Sequence, residues 1–286
     1  MKIGLYSNLT KDTGAVITKA VYKLLIENGF ETYISNELEA VDFNDQSPIF
    51  MSNSQLAENS EFVVVLGGDG TILRIAKECA KHKTPIYAVN VGTKGFLSEI
   101  NKNELDKIVN DVTSNNYILD NRKFLKVKVS NNDKEYYALN EVVVCESQCA
   151  KVLRAEITVN DTMVDKYTSD GIIVATPTGS TAYSLSAGGP IVAPDVNCFI
   201  ITPVCAHSLH SRPMIVSNNS TVRIKITDKN TQASMNIDGE HIFNLTIEDV
   251  VEVNDSDLCV SFVRRKSFNF YEKLLAKMRY WSSIEV

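Results

Sequence analysis

Five consecutive apolar residues, Phe62-Val63-Val64-Val65-Leu66, run straight into Gly67-Gly68-Asp69-Gly70-Thr71 and then into an apolar-periodic stretch over residues 72–79. The first run reads as a fully buried strand and the stretch after the glycines as a helix. Glycine has no Cβ, so such a turn bends sharply and lets a ligand approach the backbone closely. Its N–H groups lie near a helix N-terminus, where phosphate is electrostatically favoured. Asp69 stands in that turn with a charge that repels phosphate. On the motif alone two readings of it stay open: a helix cap, or a base that takes a proton from an attacking hydroxyl.

The first 120 residues keep alternating between strand and helix. Residues 3–7 read as a strand, 15–28 as an amphipathic helix closed by Gly29, and 30–34 as a second strand followed by a polar connection. After the Gly-Gly-Asp-Gly-Thr unit, 85–90 reads as a strand that enters a second glycine turn, Gly92-Thr93-Lys94-Gly95-Phe96-Leu97, and 103–113 as a helix. This alternation implies a Rossmann-like parallel sheet covered by helices, with ligands at the carboxyl ends of the strands. Both glycine turns fall at such ends.

From about Asn121 the texture changes to short strands separated by turns. Leu125, Val127 and Val129 alternate with Lys126, Lys128 and Ser130, and Asn131-Asn132-Asp133 reads as a hairpin turn. Further strands are expected at 141–145, 155–159, 171–175, 199–202, 221–226, 243–247 and 258–263, a spacing that suggests a β-sandwich. Residues 268–281 are helical in pattern. The expected organisation is an α/β domain over 1–120, an all-β, sandwich-like domain over 121–264, and a helix within 265–286 that packs back on the first domain.

A net charge of −6 argues against a nucleic-acid binder. The N-terminus enters a strand pattern with no signal-peptide core, and no apolar run approaches the length of a membrane span. A cytoplasmic protein without membrane partners is expected. Cys79, Cys145, Cys149, Cys198, Cys205 and Cys259 lie in apolar surroundings with no CxxC pair, so buried reduced thiols are expected. His207 and His210 have an HxxH spacing, but no carboxylate or cysteine completes a ligand set and no metal-binding residue is assigned. Neither GxxxxGK[ST] nor a GxGxxG in a βαβ setting is present.

A second constellation follows the strand at 171–175: Thr176-Pro177-Thr178-Gly179-Ser180-Thr181-Ala182-Tyr183-Ser184-Leu185-Ser186-Ala187-Gly188-Gly189-Pro190. Its hydroxyls and backbone N–H groups suit polar ligand groups, and Tyr183 offers a flat face for a base. A small-residue helix packed closely on a sheet explains the alanines and glycines but not the density of hydroxyls. Asn140-Glu141 opens the apolar Val142-Val143-Val144; it suits ribose hydroxyls, or is an ordinary strand end. Asp170-Gly171 and Asp238-Gly239 read as turn residues first and ligands second.

Together these residues resemble the NAD kinases, the ATP- or polyphosphate-dependent family of bacterial type, along almost the whole chain. The resemblance rests on Gly-Gly-Asp-Gly-Thr, the turn from Gly92 to Leu97, Asn140-Glu141, Ser169-Asp170-Gly171, Thr176 to Pro190, His207-Ser208-Leu209 with Arg212-Pro213, and Asp238-Gly239. It implies transfer of the γ-phosphoryl of ATP to the 2′-hydroxyl of the adenosine ribose of NAD, giving NADP. Asp69 would be the base, with Gly68 and Gly70 beside the substrates. Asn140 would lie near the adenine and Glu141 near the ribose, Asp170 would contact the nicotinamide end, Thr181, Ala182, Tyr183 and Ser186 would surround the adenosine, and Thr178 and Ser184 would also belong to the binding run. Arg74 and Lys151 match basic positions near phosphates. Mg²⁺ or another divalent cation, and a homo-oligomer (dimer or tetramer), are also implied.

The chain departs from the family pattern at three places. It has Asn8-Leu9 where relatives have Asn-Pro, Ala206 before His207 where they have proline, and Thr168 where many have arginine. By the resemblance, the last bears on a charged contact to the dinucleotide and on how strongly NADP is held. Gly-Gly-Asp-Gly-Thr is shared with diacylglycerol, sphingosine and phosphofructo-kinases, so a lipid kinase is one alternative; a non-catalytic NAD(P)-binding sensor is the other.

Overall fold

The computed structural model describes residues 1–44, 47–92, 95–148, 151–229 and 231–282. In chain order the elements are β1 (Lys2–Ser7), α1 (Val16–Glu27), β2 (Glu31–Ser35), β3 (Ile49–Met51), α2 (Asn53–Asn59), β4 (Phe62–Gly67), α3 (Asp69–His82), β5 (Ile86–Asn90), β6 (Ile100–Asn101) and α4 (Asp106–Thr113). The β-rich part comprises β7 (Tyr117–Val129), β8 (Asn132–Ala138), β9 (Glu141–Glu146), β10 (Leu153–Val159), β11 (Thr162–Ser169), β12 (Gly171–Ala175), α5 (Tyr183–Ser186), β13 (Cys198–Val204), β14 (Met214–Ser217), β15 (Val222–Ile226), β16 (Ala233–Ile237), β17 (Glu240–Leu245) and β18 (Val250–Arg265), and the chain closes with α6 (Phe270–Ser282). Two units emerge: residues 1–122 with 258–286, and residues 123–257.

In the first unit β3, β2, β1, β4 and β5 lie side by side in that order, all parallel. β6 and the end of β18, through Phe262 and Ile86, also pair parallel to β5. β4 and β5 are buried along their whole length, as strands covered by helices on both faces must be. Ile3, Leu5, Val64, Leu66, Tyr87 and Val89 form one core with Val21 and Leu25 of α1 and Ile108 and Val112 of α4. The strand order reverses direction between β1 and β4, and their carboxyl ends form the crevice in which doubly wound sheets bind ligands. Asn8, just past β1, donates its backbone N–H to the Leu66 carbonyl (3.1 Å) and its side-chain amide to Thr71 Oγ1 (3.3 Å).

The stretch read as a polar connection holds β3 and α2. β3 is three residues long, too short to show alternation, and α2 buries only Leu56 and Ala57. Its helical signal is instead the capping box between Ser52 and Gln55.

The second unit is a sandwich of two antiparallel sheets. One runs β11-β10-β15-β18, with β7 pairing β18 and β8; the other runs β14-β13-β12-β9-β16-β17. Inward residues of both, including Val127, Val144, Ile157, Val174, Ile201, Ile224, Met235 and Val253, share one core. β11, β14 and β16 escape the sequence reading because they are edge or mixed-polarity strands; Thr162, Met163 and Val164 of β11 are exposed. The run 176–190 is not one helix: Gly179–Thr181 is a 3₁₀ turn and α5 a single short turn beyond it. A Cβ on Gly179 would lie 2.1 Å from the Asn140 carbonyl oxygen, so this turn packs directly on the Asn140 backbone.

The expectation of buried thiols holds for Cys79 and Cys198, while Cys145 and Cys259 are partly exposed. It fails at Cys205, which is exposed on the bend that ends β13, with a left-handed backbone (φ 47°). Cys149 lies outside the described residues, as do Thr93 and Lys94.

Asp238 and Gly239, at φ 49° and 85°, make the two-residue turn that joins β16 to β17. The Asp238 carboxylate reaches across to accept from the N–H groups of Leu139 (2.8 Å), Asn140 (2.8 Å) and Glu141 (3.1 Å). Burial pushes its pKa up to about 6 against those three bonds. Asp238→Ala is expected to destabilise the protein by about 2–4 kcal/mol in urea unfolding, because it leaves buried donors unpaired. Loss of less than about 1 kcal/mol would show that water replaces the carboxylate.

Candidate active site

Gly68 is the N-cap of α3 and brings no side chain to the task, and Asp69 is the first residue inside the helix. The cap reading of Asp69 is therefore corrected. Its Oδ2 accepts from the Phe96 N–H (2.8 Å) and its Oδ1 from the Leu97 N–H (3.1 Å), both in the second glycine turn. Among the described residues each oxygen accepts one of these bonds, and a carboxylate oxygen has room for a second partner. Its negative charge at the first turn of α3 is favoured by the helix dipole.

The glycines around it serve different ends. A Cβ on Gly95 would come within 2.1 Å of Asp69 Oδ1, and one on Gly67 within 2.3 Å of Thr71 Oγ1, so these two are required by packing. A Cβ on Gly68 or Gly70 would meet no heavy atom within 4 Å, and neither residue has a positive φ. Sharp bending, expected of all the glycines, is thus not what Gly68 and Gly70 provide; they leave the turn's outer side bare.

Arg74, one turn further along α3, is exposed and faces the phenol of Tyr6. Tyr6 also donates to the Glu37 carboxylate, at 3.2 and 3.3 Å to its two oxygens. Burial and the neighbouring Glu37 charge push the Tyr6 phenol up to about 12, with Arg74 opposing.

In the second unit Glu141, Asp170 and Tyr183 line one cavity of about 310 Å³ together with Val143, Cys145 and Asn236. Sequence reasoning missed the last three. Period-two alternation along β9, which puts 141, 143 and 145 on one face, is the signal that would have found two of them. Glu141 is buried, its Oε2 has no hydrogen-bond partner among the described residues, and the Tyr183 N–H points at its carboxyl. Burial, then the Asp238 charge, push the Glu141 carboxyl up to about 8. Tyr183 is exposed. Asn140 is buried, and its carbonyl accepts from Thr176 N–H (2.8 Å).

The remaining assigned residues sit around α5 and the loop after β9. Thr181 and Ala182 are half-buried, Ser186 is exposed, and Thr178 is buried with its carbonyl accepting from Thr181 Oγ1 (3.2 Å). Ser184 turns into the core, where its hydroxyl meets Thr202 Oγ1 at 3.0 Å. Lys151 is exposed, its N–H on the Gln148 carbonyl. Thr168 accepts the His207 N–H on its carbonyl (2.8 Å).

The sequence matches the family model of the ATP-NAD kinase N-terminal domain over residues 3–117 and that of the ATP-NAD kinase C-terminal domain over residues 139–265. The chain belongs to the NAD kinase family. The NAD kinase of Thermoanaerobacter pseudethanolicus is 39% identical over 280 residues, which span 97% of this chain and 98% of that one. The NAD kinase of Methanothermobacter thermautotrophicus is 36% identical over 280 residues, 97% and 96% of the two chains. Among solved structures, an NAD kinase from Archaeoglobus fulgidus in complex with ATP has a TM-score of 0.76 at 27% identity, covering 98% of this chain and 99% of that one. The NAD kinase family models meet the chain on both units, so Asp69 and Glu141 each fall inside a matched domain.

Because the folded Glu141 carboxyl titrates near 8 and an ordinary one near 4.5, ionising it costs stability progressively as pH rises through that window. Glu141→Gln is expected to melt higher than the parent at pH 8.5 by on the order of 5 °C, the gap closing near pH 5. Thermal melts of the ligand-free proteins check this; a gap independent of pH would show that Glu141 is not buried as a neutral acid.

Proposed function

We propose that the chain phosphorylates NAD, transferring the γ-phosphoryl of ATP to the 2′-hydroxyl of the adenosine ribose and releasing NADP and ADP. Family models that meet both units, and relatives named NAD kinase along almost the full length, support this activity, and none of these supports the lipid-kinase or the sensor alternative. One observation carries the mechanism: the Asp69 carboxylate is fixed by two backbone N–H groups at the head of α3, between two glycines whose outer side is bare.

Phosphoryl transfer depends on positioning and charge neutralisation more than on covalent chemistry. The alcohol proton becomes acidic only as the O–P bond forms, so Asp69 accepts it late. Bare backbone at Gly68 and Gly70, beside a helix N-terminus, suits close approach of phosphate. Asn140 and Glu141 hold the adenosine, Tyr183 stacks on its base, and Asp170 meets the nicotinamide end. A largely neutral Glu141 donates one hydrogen bond and accepts others, which fits a ribose diol.

No cluster of three or more His, Cys, Asp or Glu side chains converges among the described residues. Mg²⁺ fits such a chain when it rides mainly on the ATP phosphates and water, offsetting their charge. Arg74 and Lys151, both exposed, are available to phosphate groups. The resemblance supports a homo-oligomer, dimer or tetramer, and a cytoplasmic location remains the expectation drawn from the sequence pattern.

Asp69→Asn keeps the shape and removes the base. Turnover is expected to fall by about 10³-fold or more, with NAD affinity by isothermal titration within about tenfold of the parent. Loss of binding in step with turnover would remove Asp69 from the role of base.

A further inference from the structure

The turn that fixes Asp69 is itself held from behind. The Leu97 carbonyl accepts from Arg264 Nη1 at 2.8 Å, and the Ser98 carbonyl accepts from Arg264 Nη1 (3.4 Å) and from the Lys273 ammonium. The N–H groups of Phe96 and Leu97 are therefore held by one carboxylate, and the carbonyls of Leu97 and Ser98 by two basic side chains. These come from the other end of the chain, Arg264 near the end of β18 and Lys273 on α6.

This grip has the marks of an arrangement that packing alone does not call for. Arg264 is fully buried; its Nε meets Asp120 at 3.0 Å and its guanidinium carbon lies 4.6 Å from the centre of the Phe268 ring. Its Nη2 has no hydrogen-bond partner among the described residues. The Lys273 ammonium faces the same ring at 5.7 Å, beside a cavity of about 320 Å³ that Gly95 and Ser98 also line. Burial, then the Arg264 charge, pull the Lys273 amine down to about 7, with Glu99 and Asp69 opposing. Arg264 is buried between the carboxylates of Asp120 (3.0 Å) and Glu99 (3.4 Å), with the half-buried Lys273 beside it, and apolar residues of similar size commonly serve stability as well as such a buried ion network or better.

We propose that Arg264 and Lys273 are positioning residues for Asp69: by holding the carbonyls of Leu97 and Ser98 they aim the Phe96 and Leu97 N–H groups, and through them the carboxylate. This rests on the reading of Asp69 as the base. A displacement of the carboxylate by about 1 Å is enough to slow turnover by on the order of 100-fold without altering substrate binding.

Lys273→Met removes the donor and keeps the stem. Its kcat for NADP formation is expected to fall by about 10- to 100-fold, with KM for NAD and for ATP within about threefold. Amide hydrogen exchange in the peptide spanning 95–99 should quicken by about tenfold in the ligand-free variant while that of α3 stays unchanged. In an Asp69→Asn background the same change should add less than about threefold, since the group it aims is gone. Unchanged kcat and unchanged exchange would overturn the proposal and leave the base reading standing. A fully active Asp69→Asn would overturn the base reading instead. Loss of kcat matched by equal rises in both KM values would mark Lys273 as a packing residue and also overturn the proposal. If Lys273→Met fails to fold, Lys273→Gln carries the same exchange measurement, with the same two outcomes.

Discussion

The pairing of the Asp69 carboxylate with the N–H groups of Phe96 and Leu97 is the contact on which the rest of the first unit's site depends. It joins two strand-to-helix or strand-to-turn corners, one after β4 and one after β5, that lie next to each other because those strands are parallel neighbours. A charge-assisted bond to each carboxylate oxygen removes the rotational freedom that a lone aspartate on a turn would have. Gly95 follows from that closeness, since any Cβ there would collide with the carboxylate. The strand order supplies the remaining condition, by bringing β1 and β4 together at the point where a doubly wound sheet opens to a ligand.

Two acidic groups on the two units are treated in opposite ways. Asp69 is partly exposed, with its charge welcomed by a helix N-terminus and two N–H donors. Glu141 is buried beside the Asp238 carboxylate, and its environment favours the neutral acid. The first setting fixes the carboxylate in place, and a hydrogen-bonding partner for uncharged hydroxyls is served by the second. The same residue type thus takes different work from different surroundings, in line with the two family domains matched along the chain.

Much of the fold could be read in the residues, for a physical reason that also explains the gaps. β4, β5 and β12 are buried on both faces, so their apolar runs are unbroken and their ends almost coincide with the sequence reading. β3, β11 and β14 lie at sheet edges, where polar side chains face water and the pattern fades. At the site, Asp69, Asn140, Glu141 and Tyr183 stand out because their chemistry is in their side chains. The partners of Asp69 do not, since backbone N–H groups look alike at every residue. Arg264 and Lys273 were invisible for another reason: on the sequence they are ordinary basic residues, and only the return of β18 and α6 to the first unit puts them behind the turn. Ser184 shows the converse, a hydroxyl in a motif of hydroxyls that faces Thr202 and the core.

The central claim is that this chain delivers phosphate to one particular hydroxyl. Incubating it with NAD, Mg²⁺ and ATP labelled in the γ-phosphate, and locating the label in the product, tests that directly. Label on the 2′-oxygen of the adenosine ribose, dependent on both ATP and NAD, is the expected result. Label on any other oxygen of the dinucleotide, or no labelled dinucleotide, would contradict it.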